Sequence, residues 1–174
     1  MAKTNGTTKI AEKTPDLGIS KNQQQDVATI LKIVLADEAL VYQRLRNYHW
    51  NMTGPHFFEL HIALEKQYEE IAEVVDEVAE RIRQFGVFAP GTLEEFKQIT
   101  RMSEEPGVYP DARKMVTNLV ADHEGVIRNL RGDIEMIDKK DDEVGAVDLL
   151  TGILQKHQKM AWMLRMYLEG NENH

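Results

Sequence analysis

The chain has 174 residues, of which 42% are hydrophobic and 29% charged, a balance typical of one soluble globular domain. Cysteine is absent, which excludes disulfides, thiolate nucleophiles and cysteine-bound metal centres, so any metal must be held by His, Asp or Glu. The formal net charge of −8 argues against a surface that binds nucleic acid as a whole and favours attraction of cations.

Residues 1–19 are polar and show no apolar period, which predicts a flexible N-terminal tail without the apolar core of a signal peptide. No apolar run approaches the roughly 18 residues that a membrane-spanning helix needs. We therefore expect a cytoplasmic protein with no membrane segment.

Helical spacing of apolar residues predicts a first helix from about residue 20 to 51, with Ser20 and Gln23 as its capping box. The Thr-Gly-Pro sequence at 53–55 ends this helix. A second long amphipathic helix is predicted over about 57–85.

A Pro- and Gly-rich stretch of about 24 residues follows, with one short helix capped near Thr92. Pro110 is predicted as the first residue of a third helix over about 110–137. A charged turn separates it from a fourth helix over about 143–168, whose apolar and Met positions, including Met163, are predicted to be core.

The single long connection between the second and third helices predicts the fold class. Such a crossover makes these two helices parallel, which is the ferritin-like arrangement of a four-helix bundle. We predict an all-α ferritin-like bundle over residues 20–169, with a short C-terminal tail at 170–174.

A polar stripe on the second helix carries the most informative residues. His61, Glu65, Asp76 and Glu80 fall within about 100° of one another on a helical projection. Long helices often carry acidic stripes that only face water, and a single His more often has a structural role than a metal. His61 and Glu65 are nevertheless one turn apart, as are Asp76 and Glu80, and each pair has ligand spacing.

The two pairs cannot reach one metal ion from a single straight helix, because His61 and Asp76 lie about 22 Å apart along it. Two antiparallel copies can bring them together. Residues 61 and 80 are equally far from the point between residues 70 and 71, and so are 65 and 76. A two-fold axis there predicts one shared site at each end of a dimer.

His49, near the end of the first helix, could complete this site from the His61 side. A mixed His and carboxylate site suits iron, with zinc or manganese as competitors. The sequence contains no Glu-x-x-His motif, so we expect no di-iron site in the bundle core.

Several segments resemble the Dps family of twelve-subunit mini-ferritins. They are Tyr48–Gly54 (YHWNMTG), Phe57–His61 (FFELH), Asp76–Ile82 (DEVAERI) ending at Gly86, and Trp162–Arg165 (WMLR), and the resemblance covers about residues 20–169.

This resemblance implies an inter-subunit di-iron site, in which His49, His61 and Glu65 bind iron from one subunit and Asp76 and Glu80 bind it from the two-fold partner. It also implies a hollow dodecamer that acts as a ferroxidase, storing iron and protecting against oxidative damage. Hydrogen peroxide is the implied oxidant, with oxygen slower. Many family members have Asp where this chain has Glu65.

Weaker signals concern one aromatic residue near this site and several acidic residues and histidines elsewhere in the chain. Trp50 resembles a family Trp that could intercept stray oxidising equivalents, and it could equally be an aromatic packed at the dimer interface. The family has acidic three-fold pores near the start of the fourth helix, so the resemblance makes Asp148, Glu143 and Asp142 pore candidates. Alternatively, these acidic residues simply favour a helix N-terminus. His56, His123, His157 and His174 have no partner spacing and receive no role.

The alternative function is a nucleoid-compacting, DNA-binding or purely structural shell in which the metal site is secondary. Some Dps proteins bind DNA through Lys-rich tails. The tail of this chain is only weakly basic and the net charge is −8, so DNA binding is not favoured.

Overall fold

The computed structural model describes residues 15–170. Most of the predicted N-terminal tail (1–19) and of the predicted C-terminal tail (170–174) lies outside this range. Within it the chain forms five helices and no strand: α1 Lys21–Asn51, α2 Phe57–Gln84, α3 Leu93–Ile99, α4 Ala112–Lys140 and α5 Val144–Gly170. The predicted all-α bundle with a short helix in its crossover is confirmed. None of these helices combines the length and apolar character needed to cross a membrane.

The helix starts follow local hydrogen bonding. Ser20 and Gln23 form the predicted capping box, each side chain accepting from the other's backbone amide. The prediction that Pro110 begins the third long helix is wrong, because Asp111 is the N-cap and accepts from the Lys114 amide. A carboxylate satisfies a free amide at this position, which a proline side chain cannot do.

The four long helices enclose one core in which α1 packs on α2 and α4 on α5. Each contributes an apolar stripe, and Leu31, Leu64, Leu119 and Leu150 are among its fully buried members. Met163 was expected in the core but is 49% exposed, because it lies beside the α5 stripe rather than on it. The last apolar turn of α5 instead buries Met160, Ala161 and Leu164.

Arg101 of the crossover bonds to two of the long helices. Arg101 donates from Nε to Asp37 of α1 and from both Nη atoms to Asp133 of α4, all at 2.8–2.9 Å. Burial opposes the charge of Arg101, yet its contacts with these two carboxylates raise its pKa overall. Thr92 and Glu95 start α3 with a second capping box. The long connection is therefore held against the middle of α1 and the C-terminal third of α4.

Candidate functional site

Two histidines meet where α1 ends and α2 begins. The imidazole rings of His49 and His61 are stacked, with centroids 3.6 Å apart and planes at 17°. His49 Nδ1 donates to the His61 carbonyl at 2.8 Å, and His61 Nδ1 donates to the His49 carbonyl at 2.9 Å. Because a carbonyl can only accept, each Nδ1 carries hydrogen and each neutral ring keeps its lone pair on Nε2. That tautomer is the one that binds a metal ion through Nε2.

Aromatic side chains hold the histidine pair in place. Phe57 stacks on His61 with ring centroids 4.9 Å apart, and Tyr68 meets His49 edge-on at 5.2 Å. His49 is buried and His61 is half-buried. The rings are thus fixed by packing as well as by hydrogen bonds, which limits the rearrangement that binding an ion would require.

Glu65 lies one turn after His61 on α2 and is half-buried. The Tyr68 hydroxyl donates to its carboxylate at 3.4 Å, and partial burial together with the Glu65 charge raises the pKa of Tyr68. Since Tyr68 contacts both His49 and Glu65, the structure brings three predicted ligands to the same end of the α1–α2 pair.

Asp76 and Glu80 lie far along α2 from this end. Both are exposed, and neither forms an ion pair within residues 15–170. Over the same residues, no three His, Asp or Glu side chains of one chain converge on a point where a metal ion could sit. The five predicted ligands are therefore not assembled by a single chain, and sharing between two chains stays a prediction.

The face that carries the stripe is unusually apolar for an exposed surface. Phe58 is 76% exposed, Trp50 59% and Ile62 51%. Ala72, a small exposed residue on the same face, lies next to the expected two-fold axis. A hollow of about 920 Å³ opens here between α1, α2, α3 and the 104–109 loop. Exposed apolar surface of this extent is typical of a protein–protein contact.

Trp50 has a defined environment within this face. The Arg46 guanidinium lies over its ring at 4.6 Å and also over the rings of Tyr42 and Tyr68, at 5.3 and 5.9 Å. Tyr68 in turn contacts His49. Both interpretations of Trp50, interface packing and interception of oxidising equivalents, remain predictions.

The three acidic pore candidates differ in their surroundings. Glu143 pairs with Arg81 at 2.8 Å and accepts from the Ala146 amide at the start of α5, so its carboxylate is already engaged. Asp142 and Asp148 are exposed. Asp142 also has a φ of 51°, in the left-handed region that non-glycine residues rarely adopt. A cation pore at this end of the bundle stays a prediction that depends mainly on Asp142 and Asp148.

The sequence interpretation missed one cluster in the bundle core. Glu38, His123 and His157 are fully buried, and His157 bonds to both of the others. The sequence did contain a signal for this cluster, because all three residues lie on the apolar stripes of their helices. A polar side chain buried there requires a hydrogen-bond partner. Glu38 lies on α1, His123 on α4 and His157 on α5, whereas the histidine pair lies where α1 ends and α2 begins.

Comparison with known proteins gives a consistent result. Residues 28–172 match the ferritin-like domain family. A low-temperature-induced protein of Nostoc is 39% identical over 89% of this chain and 87% of its own length. DNA protection during starvation protein 2 of Bacillus anthracis is 35% identical, covering 83% of this chain and 97% of its own length.

Solved structures show the same relationship. DpsC from Streptomyces coelicolor superposes with a TM-score of 0.85 at 27% identity, covering 90% of both chains. A Dps protein from Vibrio cholerae, described as a member of the ferritin-like diiron-carboxylate superfamily, has a TM-score of 0.82 at 28% identity. It covers 91% of this chain and 98% of its own.

Proposed function

Because the chain belongs to the Dps branch of the ferritin-like family, we propose that it oxidises ferrous iron at sites shared between two subunits. The ferric product is stored inside a hollow twelve-subunit shell. Membership of this family supports iron storage and protection in general. The observation that carries the specific proposal is the His49–His61 pair, in which two backbone hydrogen bonds leave both Nε2 atoms free for ferrous iron.

Each proposed site combines His49, His61 and Glu65 of one subunit with Asp76 and Glu80 of a second copy. Equal spacing about residues 70 and 71 supports this arrangement, as do the exposed carboxylates and the apolar surface around them. Ala72 supports it as well, because a small residue near the axis lets two α2 helices approach closely.

The proposed reaction is two-electron reduction of hydrogen peroxide. Two ferrous ions each give one electron, the O–O bond breaks, and two ferric ions and two hydroxide ions form. Neutral imidazoles and ionised carboxylates hold the substrate ions, and the Nδ1–carbonyl bonds keep each ring in the binding tautomer. Glu65 adds a methylene relative to Asp, which alters how far its carboxylate reaches.

Zinc and manganese fit the same set of donors and are expected to compete with iron. Trp50, beside the histidine pair, is proposed to take up stray oxidising equivalents. Asp142 and Asp148 are proposed to guide cations through a three-fold pore, while Glu143 accepts a hydrogen bond from the first turn of α5. We place the protein in the cytoplasm, on the sequence pattern alone.

The second candidate function is DNA binding and compaction. Relatives named for DNA protection during starvation favour it. The net charge of −8 opposes it, because contacts with the phosphate backbone require clustered positive charge. Iron oxidation is therefore the better-supported function.

Anaerobic titration with ferrous iron, followed by peroxide, tests the proposal. We expect saturation at about two ferrous ions per subunit and consumption of one peroxide for every two ions oxidised. The reaction should be far faster than in buffer alone. Equal rates with and without the protein would refute the proposed function.

A further inference from the structure

A chain of three ionisable side chains crosses the apolar core and takes no part in the proposed iron site. Glu38 of α1, His157 of α5 and His123 of α4 all have zero exposure. Burying such groups in an apolar core is unfavourable unless each is hydrogen-bonded. Their mutual contacts are therefore what allow them to remain there.

The contacts fix where protons can lie. Both carboxylate oxygens of Glu38 are 3.0–3.1 Å from His157 Nε2, so this nitrogen donates. His157 Nδ1 and His123 Nδ1 are 2.8 Å apart, so one of them donates and the other accepts. When both imidazole rings are neutral, they carry two N–H protons in total, and when one ring is charged they carry three. In either state one Nδ1 has hydrogen and the other does not, so the Nδ1–Nδ1 hydrogen bond is kept. A fourth proton puts hydrogen on both Nδ1 atoms and breaks it.

The surroundings offer no compensation for that fourth proton. His123 Nε2 is buried and has no hydrogen-bond partner. Burial and the neighbouring His157 ring lower the pKa of His123 well below its usual value. The buried polar side chain that α2 contributes to the bundle core is Gln67, which is uncharged.

The remaining charged groups nearby are paired elsewhere. Asp122 and Glu124, which flank His123 on α4, bond to Arg44 and Arg165. On α1, Asp37 precedes Glu38 and bonds to Arg101. Glu38 is thus the one carboxylate that the described residues direct at the two histidines.

We infer that Glu38, His157 and His123 form an acid-operated switch in which uptake of a fourth ring proton separates α4 from α5 and opens the middle of the bundle. The sign follows from linkage. An unfolded or opened His123 takes its proton near pH 6.5, whereas the closed core resists it to lower pH. Stability contributed by the closed chain is therefore present above about pH 6.5 and is lost as pH falls.

Hydrogen exchange measured by mass spectrometry tests the switch in the assembled protein, with EDTA present to keep metal away from the iron site. The readout is the opening of α4 and α5 peptides around residues 119–126 and 153–160, corrected for the intrinsic pH dependence of exchange. Below pH 6.5 we expect their opening constant to rise about tenfold per pH unit, because opening takes up about one proton. Peptides from α3 serve as an internal reference.

His123→Asn is the informative variant, because its side-chain oxygen can still accept from His157 Nδ1 but does not titrate. At pH 7.5 we expect the α4 and α5 peptides of this variant to open more often than those of the wild type. Their opening constant should then hardly rise further as the pH is lowered. His56→Asn, which alters an exposed histidine, should behave as wild type. Glu38→Gln should steepen the dependence, because a neutral amide no longer balances the charge of a third ring proton and opening then takes up more protons.

Equal pH slopes in wild type, His123→Asn and Glu38→Gln would overturn the inference, because a merely structural role changes opening without changing its proton uptake. If His123→Asn does not assemble, the contrast between Glu38→Gln and wild type decides. Should neither variant assemble, the wild-type slope decides: opening of α4 and α5 that is independent of pH below 6.5 contradicts the switch.

Discussion

His49 and His61 each donate a hydrogen bond from ring Nδ1 to the other's backbone carbonyl, which joins the end of α1 to the start of α2. This reciprocal contact has a structural and a chemical consequence. It fixes the angle at which α2 leaves the turn, and it leaves two neighbouring Nε2 atoms without hydrogen. In the proposed iron site, both imidazoles would therefore already be oriented before any ion arrives.

Replacing one of these histidines should impair iron oxidation without unfolding the chain. His61→Ala removes an Nε2 ligand but keeps the carbonyl that orients His49. We expect the initial rate of peroxide-driven oxidation to fall at least tenfold, in the range of about 10–100-fold typical of metal sites that lose a supporting group. His56→Ala is the matched control, and an unchanged rate in His61→Ala would contradict the assignment.

Asp76→Ala should reduce the rate in the same way, although this residue is far from the histidines along α2. The reason is that the proposal places Asp76 in the other half of the site, contributed by a second copy. Glu77→Ala, an exposed neighbour outside the proposed ligand set, provides the control. Stopped-flow oxidation with size-exclusion chromatography checks both rate and assembly, and a normal rate in Asp76→Ala would remove it from the site.

The crossover should depend on Arg101 for its position. Arg101→Ala leaves Asp37, which is 1% exposed, without its counter-charge. Breaking a pair of this kind costs about 2–4 kcal/mol once partial exposure of the arginine is allowed for. We expect the Tm to fall by roughly 5–10 °C. Lys139→Ala, which removes an exposed ion pair with Glu135, should leave it unchanged.

Two glycines of α5 should respond in opposite directions to alanine. A Cβ on Gly145 would clash with Arg81 Nη2, which is held by Glu143. Gly145→Ala should therefore lower stability by about 1–2 kcal/mol. Gly152 has open space around its Cβ position, and Gly152→Ala should raise helix stability by about 0.5–1 kcal/mol. Thermal unfolding of both variants checks the contrast, and a Gly145→Ala variant as stable as Gly152→Ala would contradict it.

Much of the fold was predictable because it rests on local signals. The Ser20 capping box, the break at 53–55 and the apolar periods gave helix bounds within a few residues for α1 and α2. Pro110 misled because proline and aspartate both favour helix starts, and the Asp111 hydrogen bond decided between them.

The candidate site was predictable only in part. Because helical geometry relates sequence position to helix face, the spacing on α2 was enough to select His61, Glu65, Asp76 and Glu80 as candidate ligands. The reciprocal bonds of His49 and His61 depend on how α1 packs on α2, which no local pattern specifies. Likewise, Glu38 meets His157 across 119 residues of sequence, a contact that only the folded bundle brings about.

DNA binding gives a prediction that separates the two candidate functions. At pH 7 and about 150 mM salt we expect no retardation of plasmid DNA on a gel, because the net charge of −8 repels phosphate. Tight binding under these conditions would overturn this expectation. Removal of residues 1–19 would then show whether the tail is responsible.

The most direct test of the central claim is complementation between two inactive variants. His49→Ala/His61→Ala and Asp76→Ala/Glu80→Ala each remove one half of every shared site, so each homo-oligomer should be nearly inactive. After co-refolding in equal amounts, about half of the dimers should be mixed, and each mixed dimer regains one intact site of two. The account predicts rapid oxidation near one quarter of the wild-type level. If mass spectrometry confirms mixed assembly and activity still stays at the level of the two parents, iron is not oxidised at a site shared between subunits.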